Sequence, residues 1–454
     1  MTRITLPYSS AGYWWHPSNP ALRVAGTLTI SAAGEGRLEL LGALPGPQFT
    51  GTIPELHGIA SDGAACSLIR LFQTSLNPGS TGFLKAAYHV ATVVVGAHVA
   101  DSAEYWDVYI SADGLGGWLG ASGLQARTGE GSQIGMVFAQ PQPLRSQPSP
   151  GVQVESFVQV FTSGSPHAWS IEEVPTIRVS LRKPLKLDDI LTGWALPLLD
   201  LVSIGLRAPS HIRGITAVPA DDPSSAGVQI FRQWIGSANL TEENPLRETM
   251  NFSGQEFPRG FGPLVSRWIR LRGEMTNVLA TYFGGLNAPP TYIETRFLIL
   301  AYSIEGYHRL RSNETKITLA EFAPIKRAAV AAAPSHLAEL VSSRMTSYVR
   351  ELTLQDRLDR MIERTEPVLG SLLGAAPRFA TVFRRARNEN THLGNRTPSP
   401  VDALTYVFLT EAGRYLLEVS LMLDLGFSLR LARQLIHRQR LYDHLIANIP
   451  SKLK

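Results

Sequence analysis

A chain of 454 residues is too long for one compact core, so two or three domains are expected. Its composition, 44% hydrophobic and 18% charged, excludes a largely disordered protein. The single cysteine, Cys66, excludes an intramolecular disulfide and a thiolate metal cage. The net charge of +4 is unevenly spread: residues 301–454 hold 22 Lys and Arg against 15 Asp and Glu, while the rest hold 20 against 23. A basic C-terminal part is a mild pointer to a polyanionic partner, although a solvated helical surface has the same composition. Met1–Ser10 carries no apolar stretch resembling a signal peptide. The apolar runs Ala91–Ala100 and Trp194–Leu206 are too short, or are broken by Pro197, Asp200 and Ser203, to span a bilayer. A soluble cytoplasmic protein without membrane contact is the expectation.

The first part of the chain reads as β-rich. Leu22–Ile30 and Gly36–Leu41 are strand candidates around a turn at Ala32–Gly36. Ala64–Gln73, Ala87–Val99, Tyr105–Ile110, Val152–Thr162 and Thr176–Leu181 follow, separated by Gly, Pro, Ser and Asn clusters such as Asn77-Pro78-Gly79-Ser80. Short strands with turn signals predict an antiparallel β-sandwich or barrel rather than βαβ units. Leu187-Asp188-Asp189-Ile190 predicts a helix to about Leu206, its carboxylates suited to the free N–H groups of a first turn. Residues 217–226 read as a loop.

From about Phe257 the apolar period becomes helical. Phe261–Phe283 and Tyr292–Leu310 are predicted helices, broken by Ala288-Pro289-Pro290. A helix from His336 to about Leu352, with Ser335 as N-cap, then Leu354–Leu373, Arg378–Asn390, Val401–Leu423 and Leu429–Ile446 complete the series. Consecutive helices with short connectors predict an antiparallel bundle. The expected architecture is α+β multidomain: a β-sandwich or barrel-like domain over residues 1–250 and an all-α bundle over 251–454.

Most catalytic signatures are missing: no P-loop, no His-Glu-x-x-His, no Gly-x-Ser-x-Gly. Asp113–Trp118 is glycine-rich, but among strands it reads as a hairpin turn rather than a nucleotide loop. Trp14-Trp15-His16 reads as aromatic packing rather than a stacking platform. His57, His89, His98, His167 and His211 are scattered without partners at ligand spacing, so no metal site is assigned and no cofactor is expected.

One segment stands apart, Arg384-Arg385-Ala386-Arg387-Asn388-Glu389-Asn390-Thr391-His392-Leu393-Gly394-Asn395-Arg396. On ideal helix geometry Asn388 and His392 share a stripe and Arg387 lies at its edge near Thr391. A guanidinium holds a phosphate with parallel hydrogen bonds and stabilises charge building on it. An imidazole can take a proton from a ribose 2′-hydroxyl or return one to the leaving oxygen. Arg387, Asn388 and His392 are therefore candidate catalytic residues for metal-independent RNA cleavage by internal transesterification. By spacing alone the pattern is common, and a polar helix end is the competing reading.

The surroundings of the motif carry more. Arg387-Asn388-x-x-x-His392, followed by the apolar helix reaching Leu425-Gly426, resembles the HEPN superfamily. Arg296-Phe297-Leu298 through Glu305-Gly306-Tyr307-His308 resembles a helix of its ApeA-like branch, found in bacterial anti-phage proteins. Gly26-Thr27-Leu28, Arg37–Leu40, Ile59–Gly63 and Pro184–Asp189 are similar to the β-rich domain preceding HEPN in ApeA-type proteins. The resemblance implies an endoribonuclease of abortive infection, cutting RNA such as tRNA at a cleft where two Arg-x4-His motifs face each other in a homodimer or higher homo-oligomer. It further implies Glu305 and His308 as supporting residues, and a phage-derived trigger at the N-terminal domain. Arg384, Arg385 and Arg396 are candidates for RNA backbone contacts. The alternative is a non-catalytic HEPN module for dimerisation or RNA binding, serving a ligand-sensing β-domain.

Overall fold

The structure is a computed structural model; it describes residues 3–42, 44, 51–78, 84–120, 122–128, 134–165, 168–224, 227–233, 246–289, 291–391 and 401–454. The chain divides into two compact units, Met1–Arg270 and Leu271–Lys454.

The first unit opens with β1 (Tyr8–Trp15), β2 (Val24–Ile30), β3 (Gly36–Leu41), β4 (Thr52–Ala60), β5 (Ala65–Pro78) and β6 (Leu84–Val95). Pairing runs β1–β2–β3–β6–β5–β4 and returns from β4 to β1, so these six antiparallel strands close on themselves. Of the sandwich and the barrel, the barrel is what forms. Strict alternation drives it: in β3, Gly36, Leu38 and Leu40 are buried while Arg37, Glu39 and Leu41 face out. Leu28, Leu38, Ile53, Leu56, Leu68, Leu71 and Val93 fill the interior together with Trp14, all fully buried. Cys66 lies among them, and burial pushes its thiol up to about 12. Trp14 and Trp15 are packed, as the aromatic reading expects. Gly58 makes room for them, since a Cβ there would overlap the Trp14 ring.

The sheet continues past β6 through β7 (Glu104–Ala112), β10 (Arg145–Ser149), β11 (Val152–Ser165), β12 (Ala168–Lys186), β13 (Ile212–Pro219) and β14 (Val228–Phe231); β8 (Leu124–Thr128) and β9 (Ile134–Phe138) form a separate ribbon. Spatial order from the barrel outward is β6–β14–β13–β7–β12–β11–β10. Ala217, Val218 and Pro219 thus belong to a strand and not to the expected loop. They pair with β7, which gives their backbone groups partners.

Asp113–Trp118 is not a hairpin turn either. β7 pairs with β12 and β13, and the segment becomes a one-turn helix, α1 (Leu115–Leu119), after Gly114 in the left-handed conformation, φ 67°. Leu115, Trp118 and Leu119 are all buried, so three apolar side chains on one turn outweigh the turn chemistry of the glycines.

The expected helix after Pro184 forms as α2 (Leu187–Ile190), a π-helical turn Leu191–Ala195, and α3 (Leu196–Leu206). Its start is held differently from expectation. The Asp188 carboxylate binds Arg232 at 2.7 Å and Arg70 at 3.3 Å rather than capping the first turn. Burial alone would raise the Asp188 carboxyl, but the two guanidinium groups hold it below the ordinary range. By length and composition this stretch could cross a membrane, yet most of it is buried inside the unit. Asn251 continues that packing, its amide donating to the Ile204 carbonyl at 2.8 Å.

The first unit ends within a helix, and the second unit is helical. Phe261–Phe283 is interrupted at Met275, giving α4 (Phe261–Glu274) and α5 (Thr276–Asn287), where the Thr276 hydroxyl takes up the carbonyls of Arg272 and Gly273. Next come α6 (Ile293–Arg311), α7 (Leu319–Ala332), α8 (Ala338–Arg344), α9 (Leu354–Leu373), α10 (Phe379–Thr391), α11 (Ala403–Leu425), α12 (Leu429–His437) and α13 (Arg440–Ala447). The predicted helix His336–Leu352 is only α8 flanked by 3₁₀ turns, and Ser335 does not cap it. No side chain of α8 is buried, so nothing extends it. α7 escaped the periodicity reading because Phe322 is its one buried side chain. A capping box starts it instead, with Thr318 and Glu321 exchanging hydrogen bonds. Leu429–Ile446 breaks at buried Gln439, whose side chain accepts from the Tyr415 hydroxyl at 2.8 Å. α11 is the centre: α6, α9 and α12 all pack on it.

Two outcomes test this account. Gly58→Ala forces the Trp14 ring out of place and lowers the stability of the first unit by about 1–3 kcal/mol, read from denaturant unfolding. In α9, the Asp356 carboxylate is held down to about 2, first by Lys316 and then by Thr353. A depressed folded value stabilises above the unfolded value of about 4 and is lost as pH falls through the folded one. Asp356→Asn therefore lowers the thermal midpoint at neutral pH, and the difference shrinks as pH falls towards about 2 and disappears below it.

Candidate active site

The site rests on α10, and aromatic packing places α10. Its inward residues Phe379, Ala380, Val382, Phe383 and Ala386 are buried. Phe383 stands edge-on to Phe297 of α6 at 4.7 Å between centroids, and Phe297 to Tyr406 of α11 at 5.4 Å. Gly413 keeps α11 close to this cluster, since a Cβ there would stand 3.0 Å from Leu300 and 3.1 Å from Phe383. At the end of α10 the Asn390 amide donates to the Tyr406 hydroxyl at 2.6 Å, fixing the last turn.

Arg387 follows Ala386 and leaves the core half-buried. Its Nη2 donates to Glu305 Oε2 on α6 at 2.9 Å, and its Nη1 to Asn388 Oδ1 at 3.1 Å. The Tyr302 ring lies beneath, 5.9 Å from the guanidinium carbon. Arg387 Nε is buried without a hydrogen-bond partner among the described residues. Five N–H bonds leave a guanidinium. With one from each Nη committed, Glu305 and Asn388 fix its plane and leave the second N–H of each Nη for an oxyanion.

Glu305 serves two arginines. Its Oε1 accepts from Arg309 at 3.0 Å, and Arg309 reaches Glu351 at 3.0 Å. Glu351 also takes Arg357 at 3.3 Å. The result is an alternating file, Arg387–Glu305–Arg309–Glu351–Arg357, joining α10, α6 and α9.

The other anticipated residues fall as follows. His308 is buried and turned to Arg357 Nη1, 3.3 Å from its Nδ1, rather than to Arg387. Burial first, then the Arg357 charge, lowers its basicity. Arg384 is exposed, and Arg385 pairs with Glu389 one turn along at 2.9 Å. His392 and Arg396 lie outside the described residues. Among the described residues no cluster of three His, Cys, Asp or Glu side chains suits a metal. Tyr302, Arg309 and Glu351 were not anticipated. The i, i+4 spacing of Glu305 and Arg309 was a readable sign, while the 82-residue separation of Glu305 from Arg387 gave none.

The comparisons agree with this architecture. The family description ApeA N-terminal domain 1 matches residues 9–268, more than half of the chain, and Apea-like HEPN matches residues 298–431. The chain belongs to the ApeA family. Its helical unit is an ApeA-like HEPN domain, a family whose general activity is nucleolytic and which suggests a role in anti-phage defence. No curated protein and no solved structure matches it.

The Arg387–Glu305 contact is measurable. Glu305→Ala leaves two guanidinium groups facing each other and costs about 1–2 kcal/mol, between surface and buried pairs. A double-mutant cycle with Arg387→Ala should return about 1 kcal/mol of coupling; a value of zero would mean that the contact contributes nothing.

Proposed function

We propose that this chain is a metal-independent endoribonuclease of anti-phage defence, cleaving cytoplasmic RNA through Arg387 and His392. The observation that carries the reading is the guanidinium of Arg387, held in plane by Glu305 and Asn388 at the end of α10 with donors to spare. In a HEPN domain this is the position for binding a scissile phosphate.

The chemistry draws on two copies of this pair. His392 follows Thr391 directly in the chain. Its imidazole draws the proton from the ribose 2′-hydroxyl, whose oxygen attacks the adjacent phosphorus. The 5′-oxygen leaves with a proton given by the protonated His392 of a second copy, and a 2′,3′-cyclic phosphate remains. Arg387 stabilises the extra charge on the phosphorane oxygens. One Arg and one His supply too few groups for both proton transfers, so we assign the site to a homodimer in which two motifs face one cleft. Exposed apolar side chains support a second copy: Tyr302 beside Arg387, and Leu404 and Val407 at the start of α11, are 47%, 78% and 45% exposed. Arg384 and Arg385 would then track the RNA backbone, and the β-rich unit would receive the phage-derived trigger.

The second reading, a non-catalytic module for dimerisation or RNA binding, has an observation of its own. Arg387 is already ion-paired in the free chain, as a purely structural arginine would be.

Cleavage assays separate the two. Arg387→Ala and His392→Ala each reduce cleavage of total RNA or tRNA by at least about 100-fold in the presence of EDTA, and products of the unaltered chain end in cyclic phosphate. Activity that survives both changes points to the non-catalytic reading; activity abolished by EDTA removes the metal-free mechanism. Light scattering that finds only monomer removes the composite site.

A further inference from the structure

The outer end of the extended sheet holds a cleft that the nuclease reading does not use. After Ser146, β10 slips out of register with β11: Ser146 pairs with Val154, but Ser149 pairs with Val152. Gln147 and Pro148 therefore stand opposite a single residue, Gln153, which is a β-bulge. Bulges bend an edge strand away from its neighbour, and here a cleft of about 570 Å³ opens. Gly151, at φ 82°, turns the chain back into β11, and its carbonyl is fixed by the Arg182 N–H at 2.8 Å. That bond sets Arg182 on β12 beside the mouth.

The lining is cationic and rich in donors. The Arg182 side chain is exposed and has no hydrogen-bond or ion-pair partner among the described residues. Among the described residues Arg145 uses only Nε, on Glu155 at 2.8 Å, and keeps both Nη groups. Glu155 answers part of the Arg145 charge, and Arg178 behind it is paired with Asp107 at 3.1 Å, so the positive charge left without a partner at the cleft is that of Arg182. The amides of Gln147 and Gln153 and the hydroxyl of Ser180 complete the polar wall. No aromatic ring lines the cleft, so nothing in it stacks a base.

We propose that this cleft binds a small molecule carrying two phosphoryl groups, with a polar, non-aromatic remainder. The unpartnered Arg182 guanidinium and the Nη edge of Arg145 match two phosphoryl groups, since each presents a pair of N–H donors to a pair of oxygens. The amides and hydroxyl suit the hydroxyls of a sugar or polyol, and the volume falls in the range of small-molecule sites. The site lies wholly in the β-rich unit and does not depend on the nuclease reading.

Calorimetric titration of the full chain with inorganic pyrophosphate tests it, with orthophosphate as the one-phosphoryl comparison. Saturable one-to-one binding is expected, at least about ten-fold tighter for pyrophosphate than for orthophosphate. Arg182→Ala and Arg145→Gln should each weaken it by about ten-fold or more, and Arg182→Lys by less, because lysine keeps the charge and loses the fork. Arg385→Ala, in the helical unit, should leave it unchanged. Arg182 is exposed, so its variants should unfold at the same temperature as the parent without ligand. Absence of saturable heat, equal affinity for the two anions, or full affinity in Arg182→Ala would each overturn the proposal.

Discussion

A helix buried on every side imposes terms on all its neighbours, and α11 is such a helix from Phe408 onward. Its interior carries carboxylates as well as leucines: Glu418 is fully buried, and the Asp424 side chain is 2% exposed. A buried carboxylate without partners costs several kcal/mol, so partners must come from the surrounding helices. Glu418 receives the Tyr282 hydroxyl of α5 at 2.5 Å and Arg414 of its own helix at 3.1 Å. Asp424 receives Tyr307 and Arg311 from α6 and Arg364 from α9. Burial, reinforced by the facing carboxylates, raises both tyrosines far above their ordinary value, so both remain donors. These contacts lock the angular position of α6. That angle aims Glu305 at Arg387.

The candidate site is thus one product of a general arrangement in which arginine and carboxylate alternate between helices. Most of these pairs are structural, and the Arg387 pair differs in only two respects. It sits at a helix end rather than mid-helix, and its carboxylate is shared, which leaves Arg387 held but not saturated. A guanidinium fixed before substrate arrives loses little freedom on binding phosphate, which is the physical meaning of preorganisation.

Local features were readable from sequence, and pairings between distant segments were not. Alternation in β2 and β3, the helix Leu354–Leu373 and the Arg387-Asn388 motif are written in residues a few positions apart, so periodicity and spacing found them. Closure of the barrel depends on β1 meeting β4, and no local pattern separates that from an open sandwich. The mid-chain loop, the glycine-rich turn and the helix-capping role of Asp188 were misread for a related reason. In each, a partner far along the chain, β7, a buried pocket for Trp118, or Arg70 and Arg232, decided the outcome over local chemistry. α7 stayed hidden because exposed helices carry no apolar stripe, only caps.

That exposure has a further consequence. From 313 to 350 only Phe322 is buried among the described side chains, and the ends of the stretch meet where Lys316 N–H bonds the Arg350 carbonyl at 2.7 Å. The stretch is an excursion closed at its neck, so its length is nearly decoupled from the packing of α6 against α9. Insertions or deletions there would leave Glu305 and Arg387 where they are. The geometry that joins Glu305 to Arg387 is therefore set by angle and helix register rather than by residue count. Related chains with very different spacings between the two residues can carry the same site.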